Sequence, residues 1–147
     1  MNIKKAMILA AGYGKRMKPL SLNKPKPLFD FRKKKLLEYS IEILHKLNIS
    51  DIVVNTHYLH EQIESFINNK KWKLKISHEK KILDTGGGIL KKLNFFDNKS
   101  FLVLNSDTIW TESYVRDIMK LYDTYKKNNS KACLLLAKIE NSFDSNL

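Results

Sequence analysis

The chain has little of what would tie it to several large protein classes. It carries one cysteine, Cys133, in 147 residues, which excludes an internal disulfide and any multi-cysteine metal site. Lying in an apolar run, that cysteine is expected in the core. The longest uninterrupted apolar run, residues 6–11, is six residues, against the roughly twenty that a membrane span needs. Lys4 and Lys5 precede it, but the run is too short for a signal-peptide core and leads into a glycine loop rather than a cleavage site. A cytoplasmic protein with no membrane partner is therefore expected. Arginine is scarce too: of 27 basic residues only Arg16, Arg32 and Arg116 are arginine, leaving 24 lysines.

That scarcity qualifies the formal charge of +12. Base readout and bidentate phosphate recognition favour arginine over lysine, and the lysines are scattered in short pairs along the whole chain. With thirteen asparagines beside them, they read as a compositional bias, and no nucleic-acid partner is expected. A positive field would still draw in polyanionic triphosphates.

What is present is an alternation of short apolar runs with longer stretches of helical period. By length the chain is one domain, residues 1–147. Residues 6–10 (AMILA), 51–56 (DIVVNT), 100–105 (SFLVLN) and 132–137 (ACLLLA) read as buried strands, and 73–78 (KLKISH) as a half-exposed one. Helices are expected over 36–47, 58–67 and 114–125, the last with Thr111 as its cap, and a short one over 87–93 after a glycine-rich turn. Residues 19–27 hold all three prolines and should be irregular. Strands apolar throughout and separated by helices predict an α/β fold, a Rossmann-like sandwich with a mostly parallel central sheet and helices on both faces.

In such sheets ligands bind beyond the carboxyl ends of the strands. Three polar clusters fall there: residues 11–18, Asn55-Thr56-His57 and Asn105-Ser106-Asp107. In the first, Gly12 and Gly14 free the backbone to turn and present amides to an anion, and Lys15, Arg16 and Lys18 supply charge. Neither familiar phosphate fingerprint fits: the dinucleotide motif needs glycine where Met17 stands, and a P-loop needs Ser or Thr after its lysine, where Arg16 stands. Glu79 and Asp84 could line the site but read as surface residues. The four histidines show no zinc-protease spacing, and His57 and His60 are assigned to a helix start.

The run Leu9-Ala10-Ala11-Gly12-Tyr13-Gly14-Lys15-Arg16-Met17-Lys18-Pro19-Leu20 does resemble the signature loop of the sugar-1-phosphate nucleotidyltransferases. Lys26-Pro27, Asp84-Thr85-Gly86-Gly87-Gly88 and Asp107 follow in that family's order. The Leu83–Ile89 segment and Asn105-Ser106-Asp107 look most like its mannose-1-phosphate guanylyltransferase branch, which includes N-acetylmuramate-1-phosphate uridylyltransferases. The resemblance implies transfer of a nucleoside monophosphate from a triphosphate (UTP or GTP, with a lean to UTP) to a sugar-1-phosphate, releasing pyrophosphate. Arg16 and the loop amides of Gly12, Gly14 and Lys15 would hold the β- and γ-phosphates. Lys26 would sit on the α-phosphate, and Asp107 would bind Mg²⁺. Backbone groups of Ala10, Ala11 and Gly12, the Thr85-Gly86-Gly87 turn and Asn105 would face nucleobase and ribose.

The family also implies a second metal-binding aspartate and a sugar pocket beyond residue 147, so the chain reads as the N-terminal, nucleotide-binding portion, expected to bind nucleotide and turn over poorly alone. Two alternatives stand beside this: a non-catalytic nucleotide-binding module, and a basic nucleic-acid-binding protein, whose binding would fall steeply with salt.

Overall fold

In a computed structural model, which describes residues 1–136, the chain forms a four-stranded parallel sheet flanked by helices. The strands are β1 (Lys5–Leu9), β4 (Asp51–Thr56), β5 (Lys75–His78) and β6 (Leu102–Asn105), in spatial order β5-β4-β1-β6. A two-residue antiparallel pair, β2 (Asp30–Phe31) and β3 (Lys34–Lys35), stands apart from it. The helices are α1 (Leu36–Lys46), α2 (His60–Asn69), α3 (Asp84–Lys91) and α4 (Ser113–Lys127). No described helix is long and apolar enough to cross a membrane.

The strand alternation assigns each side chain to a layer. Ala6 and Ile8 of β1 join Ile52, Val54 and Leu104 under α1, α2 and α4, which contribute Leu37, Ile41, Leu44, Ile63, Ile67 and Ile118. Met7 and Leu9 face the other way, with Val53, Val103 and Phe96, under Ile89 of α3. Each fully buried Ile, Leu, Val, Met or Phe side chain contributes on the order of 1.5–3 kcal/mol, which favours apolar residues on both faces of β1. Helix α1 starts where Glu38 accepts the Lys35 amide at 2.7 Å, the carboxylate half of a capping box.

Three expectations need correction. Residues 132–136 form no strand, and Leu134 and Leu136 are 78% and 80% exposed. An apolar run becomes a strand only where a neighbouring edge takes its backbone hydrogen bonds, and no described ladder includes these residues; Ala137 lies outside the described residues. Cys133, in the same run, is half-exposed rather than core. Thr111 does not cap α4: the helix follows Glu112 without a side-chain cap, and the Thr111 hydroxyl pairs with that of Ser113 at 2.7 Å.

Candidate functional site

The parallel register brings three strand ends into one row. Leu9, the last residue of β1, stands opposite Asn55 on one side and Asn105 on the other. A cavity of about 620 Å³ opens beyond this row, within the usual range for a ligand site. Its wall includes Ala10, Ala11, Gly12, Gly14, Lys15 and Arg16 of the first loop, Lys26, and Asn105 and Asp107 beyond β6. Thr85 closes it from α3. The polar clusters that the sequence places at strand ends thus face a common space.

The loop has a local cause. Gly14 adopts a left-handed backbone, φ 62° and ψ 31°, and opens a single 3₁₀ turn, Lys15–Met17. A Cβ at Gly14 would press on Ser21 Cβ at 3.3 Å, and the Ser21 hydroxyl donates to the Gly14 carbonyl at 2.9 Å. Glycine is therefore favoured here by the left-handed backbone, with a tight contact added for any larger residue. The turn sends Arg16 to the cavity wall. Lys15 lies with its ammonium 5.5 Å from the centre of the Tyr13 ring.

Lys26 and Asp107, 81 residues apart in sequence, meet at 2.7 Å in this cavity. Both are part-exposed, at 28% and 40%, so the pair itself contributes only about 0–1 kcal/mol. Each is therefore free to exchange its partner for a ligand at little cost. The neighbouring lysines are already engaged: Asp30 takes Lys24 at 2.8 Å and Lys35 at 2.5 Å. Those hydrogen bonds, Lys24's first, hold the Asp30 carboxyl down to about 2.

A buried network that the sequence reading missed supports the wall. Asn55 Oδ1 accepts the Ala10 amide at 2.7 Å, and Asn55 Nδ2 donates to Glu79 Oε1 at 2.9 Å. Glu79, only 1% exposed, also takes the Leu83 amide at 3.0 Å through its other oxygen. Glu79 is thus interior, not a surface residue, and links the loop after β1 through Asn55 to the start of α3. On the β6 side, the Ser106 hydroxyl donates to Leu9 O at 2.7 Å. The available signal was a polar side chain at the end of an otherwise apolar strand, Asn55 in DIVVNT.

Two further expectations change. The Thr85–Gly87 segment is the first turn of α3, not a turn preceding a helix. Glu79 binds the amide of Leu83, the residue before the helix, so the chain enters helical geometry ahead of the glycines. As a result Thr85 lines the cavity, with Asp84 beside it, whereas Gly86 and Gly87 do not. Gly88 explains why a glycine sits inside a helix, where it costs about 1 kcal/mol relative to alanine. A Cβ there would lie 2.8 Å from Glu79 Oε1 and 2.9 Å from Asn55 Nδ2.

Gly88→Ala should therefore lower stability by about 1–2 kcal/mol net, as overpacking outweighs the gain in helix propensity. Gly86→Ala, whose Cβ meets nothing within 4 Å, should be neutral or stabilising by a few tenths to about 1 kcal/mol. Urea denaturation of both variants decides this, and equal effects would contradict the close approach at Gly88.

Comparison with known proteins agrees with the architecture. The family described as nucleotidyl transferase matches residues 5–143. The D-glycero-alpha-D-manno-heptose 1-phosphate guanylyltransferase of Campylobacter jejuni is 36% identical over 141 residues, 95% of this chain and 59% of that protein. The N-acetylmuramate alpha-1-phosphate uridylyltransferase of Caulobacter vibrioides is 32% identical over 143 residues, 93% of this chain and 59% of that protein. The crystal structure of HddC from Yersinia pseudotuberculosis complexed with GMP-PN superposes with a TM-score of 0.70 at 26% identity, covering 84% of this chain and 54% of that one. The chain spans between 38% and 59% of the length of the curated relatives it matches. With the family matched over nearly the whole sequence and its fold reproduced, this chain belongs to the nucleotidyl transferase family.

Proposed function

We propose that the cavity binds a nucleoside triphosphate, UTP or GTP, and serves transfer of its nucleoside monophosphate to a sugar-1-phosphate. The observation that carries this reading is the convergence of Arg16, Lys26 and Asp107 on one cavity with the Gly14 turn beneath them. A sugar-phosphate oxygen, already anionic, forms a bond to the α-phosphorus. The bond from the α-phosphorus to the bridging oxygen breaks, and pyrophosphate leaves with the electron pair. No proton need move, so the protein contributes position and charge neutralisation.

Arg16 and the Gly12–Lys15 amides suit the departing β- and γ-phosphates, since charge developing there is stabilised by fixed donors. Lys26 suits the α-phosphate. A part-exposed carboxylate beside the loop cations in a polar cavity fits Mg²⁺, which takes one or two carboxylates together with phosphate oxygens and water. Asp107 would hold that ion, which supplies charge neutralisation on the phosphates. Ala10, Ala11 and Thr85 flank the remaining cavity, and their backbone groups suit nucleobase and ribose.

Triphosphate with Mg²⁺ should therefore raise the melting temperature. At a hundredfold excess over Kd the stabilisation is about 2.7 kcal/mol, or on the order of 5–10 °C for a domain of this size. Relatives of both nucleotide specificities exist, a guanylyltransferase and a uridylyltransferase. A thermal-shift series over the common triphosphates therefore names the base, with UTP expected ahead of GTP; a clear preference for GTP would reverse that order. Pyrophosphate release with sugar-1-phosphates supplied tests the transfer itself: this chain alone should release it slowly, and triphosphate binding with no detectable release under any sugar phosphate would argue for a binding module.

A further inference from the structure

On the far side of β4 from β1, three side chains unused by the phosphate cavity gather where β5 ends against α2. Thr56 and His78 are register partners at the ends of β4 and β5. His60 and Glu64 are four residues apart on α2 and so share a face; His60 Nδ1 and Glu64 Oε1 are 3.1 Å apart. The His60 and His78 rings lie 3.9 Å apart, centre to centre. Each of the three residues presents one ligand atom, and these atoms all lie within 4.8 Å of one another.

Two details set the cluster apart from a chance grouping. The Thr56 hydroxyl donates to Glu64 Oε1 at 3.1 Å, orienting the carboxylate as an outer partner orients a metal ligand. The Nδ1 of His78 is buried and has no hydrogen-bond partner among the described residues, a desolvation cost that a bound ligand would offset. Lys91 is the nearby cation, but it donates to the His78 carbonyl and leaves the ring free.

We propose that His60, Glu64 and His78 form a site for a borderline-soft divalent transition metal, Zn²⁺ foremost, separate from the Asp107 site. Two imidazoles with one carboxylate suit Zn²⁺, whereas Mg²⁺ is served by oxygen ligands. Ligand atoms around tetrahedral zinc are about 3.4 Å apart, given bonds of about 2.0–2.1 Å. His60 and Glu64 are 34% and 29% exposed, so their side chains can turn inward to close the remaining gap. Three protein ligands leave a fourth position for water.

The bound ion links the first turns of α2 to the end of β5. Between the cluster and the phosphate loop stands His57, whose Nε2 meets Tyr13 Oη at 3.1 Å and whose Nδ1 meets Glu79 O at 2.7 Å. The metal thus braces the elements that flank the loop without entering the cavity.

The test is calorimetric titration of the chelator-stripped, full chain with Zn²⁺, without nucleotide, alongside thermal shift. One equivalent should bind and raise the melting temperature. His60→Ala, Glu64→Ala and His78→Ala should each weaken Zn²⁺ by about a hundredfold or more, since outer partners alone are worth about 10–100-fold. Asp107→Asn and His45→Ala, which touch neither the cluster nor its partners, should leave the affinity unchanged. His60→Ala alters a part-exposed helix residue and keeps the test meaningful if His78→Ala folds poorly. Absence of Zn²⁺ binding, or retention of parent affinity in any folded variant of the three, overturns the site. The outcome is independent of whether the cavity binds triphosphate.

Discussion

In a catalytically competent form of the protein, Arg16→Ala and Lys26→Ala should each lower kcat by about a hundredfold or more, the loss seen when one preorganised donor to a developing charge is removed. In free energy that is about 2.7 kcal/mol of transition-state stabilisation for each. The geometry ranks these two above the other cations of the loop. Both line the cavity, and neither belongs to the hydrophobic core. Lys15 shares the wall but leans on the Tyr13 ring, and Lys18 does not line the cavity, so Lys15→Ala and Lys18→Ala should cost far less. Steady-state kinetics with triphosphate, sugar-1-phosphate and Mg²⁺ gives the ranking. A series in which Lys15→Ala proved more damaging than Arg16→Ala would overturn the assignment of roles.

Asp107→Asn should abolish the Mg²⁺-dependent part of triphosphate affinity while leaving the fold intact. The fold should survive because Asp107 is 40% exposed and its described side-chain partner is Lys26 alone, a contact of about 0–1 kcal/mol. The same substitution removes the anion opposite Lys26, so affinity measured without Mg²⁺ should hold or rise. Calorimetric titration with and without Mg²⁺ separates these two effects. Equal Mg²⁺-dependent affinity in variant and parent would show that Asp107 is not the ligand.

Much of this site was legible before the structure. The apolar runs around Ile8, Val53 and Val103 became adjacent strands, since runs apolar on both faces are stable only inside a covered parallel sheet. Once they are parallel, their polar ends must lie on one edge, and Gly14, Asn55 and Asp107 follow from that rule. Other features depend on partners distant in sequence. Glu79 looks like a surface residue because nothing near it in sequence shows that Asn55 will bury and bind it. The glycine triplet reads as a turn until Glu79 claims the Leu83 amide and starts α3 early. The run at 132–136 carries strand composition without strand pairing. The His60–Glu64–His78 cluster has no spacing motif, because α2 supplies two members and β5 the third.

All five glycines of the chain, Gly12, Gly14 and the triplet Gly86, Gly87 and Gly88, lie in the two segments that frame the proposed triphosphate site. Their amides give a compact probe of triphosphate binding in a ¹⁵N-labelled sample titrated with Mg²⁺ and UTP or GTP. Saturable chemical-shift changes should be largest at Gly12, Gly14, Lys15 and Arg16, smaller at Gly86 and Gly87, and slight at residues of α4 remote from the cavity. Saturable binding that leaves the Gly12 and Gly14 amides unmoved, or no binding by either nucleotide at millimolar concentration, would contradict the proposed triphosphate site.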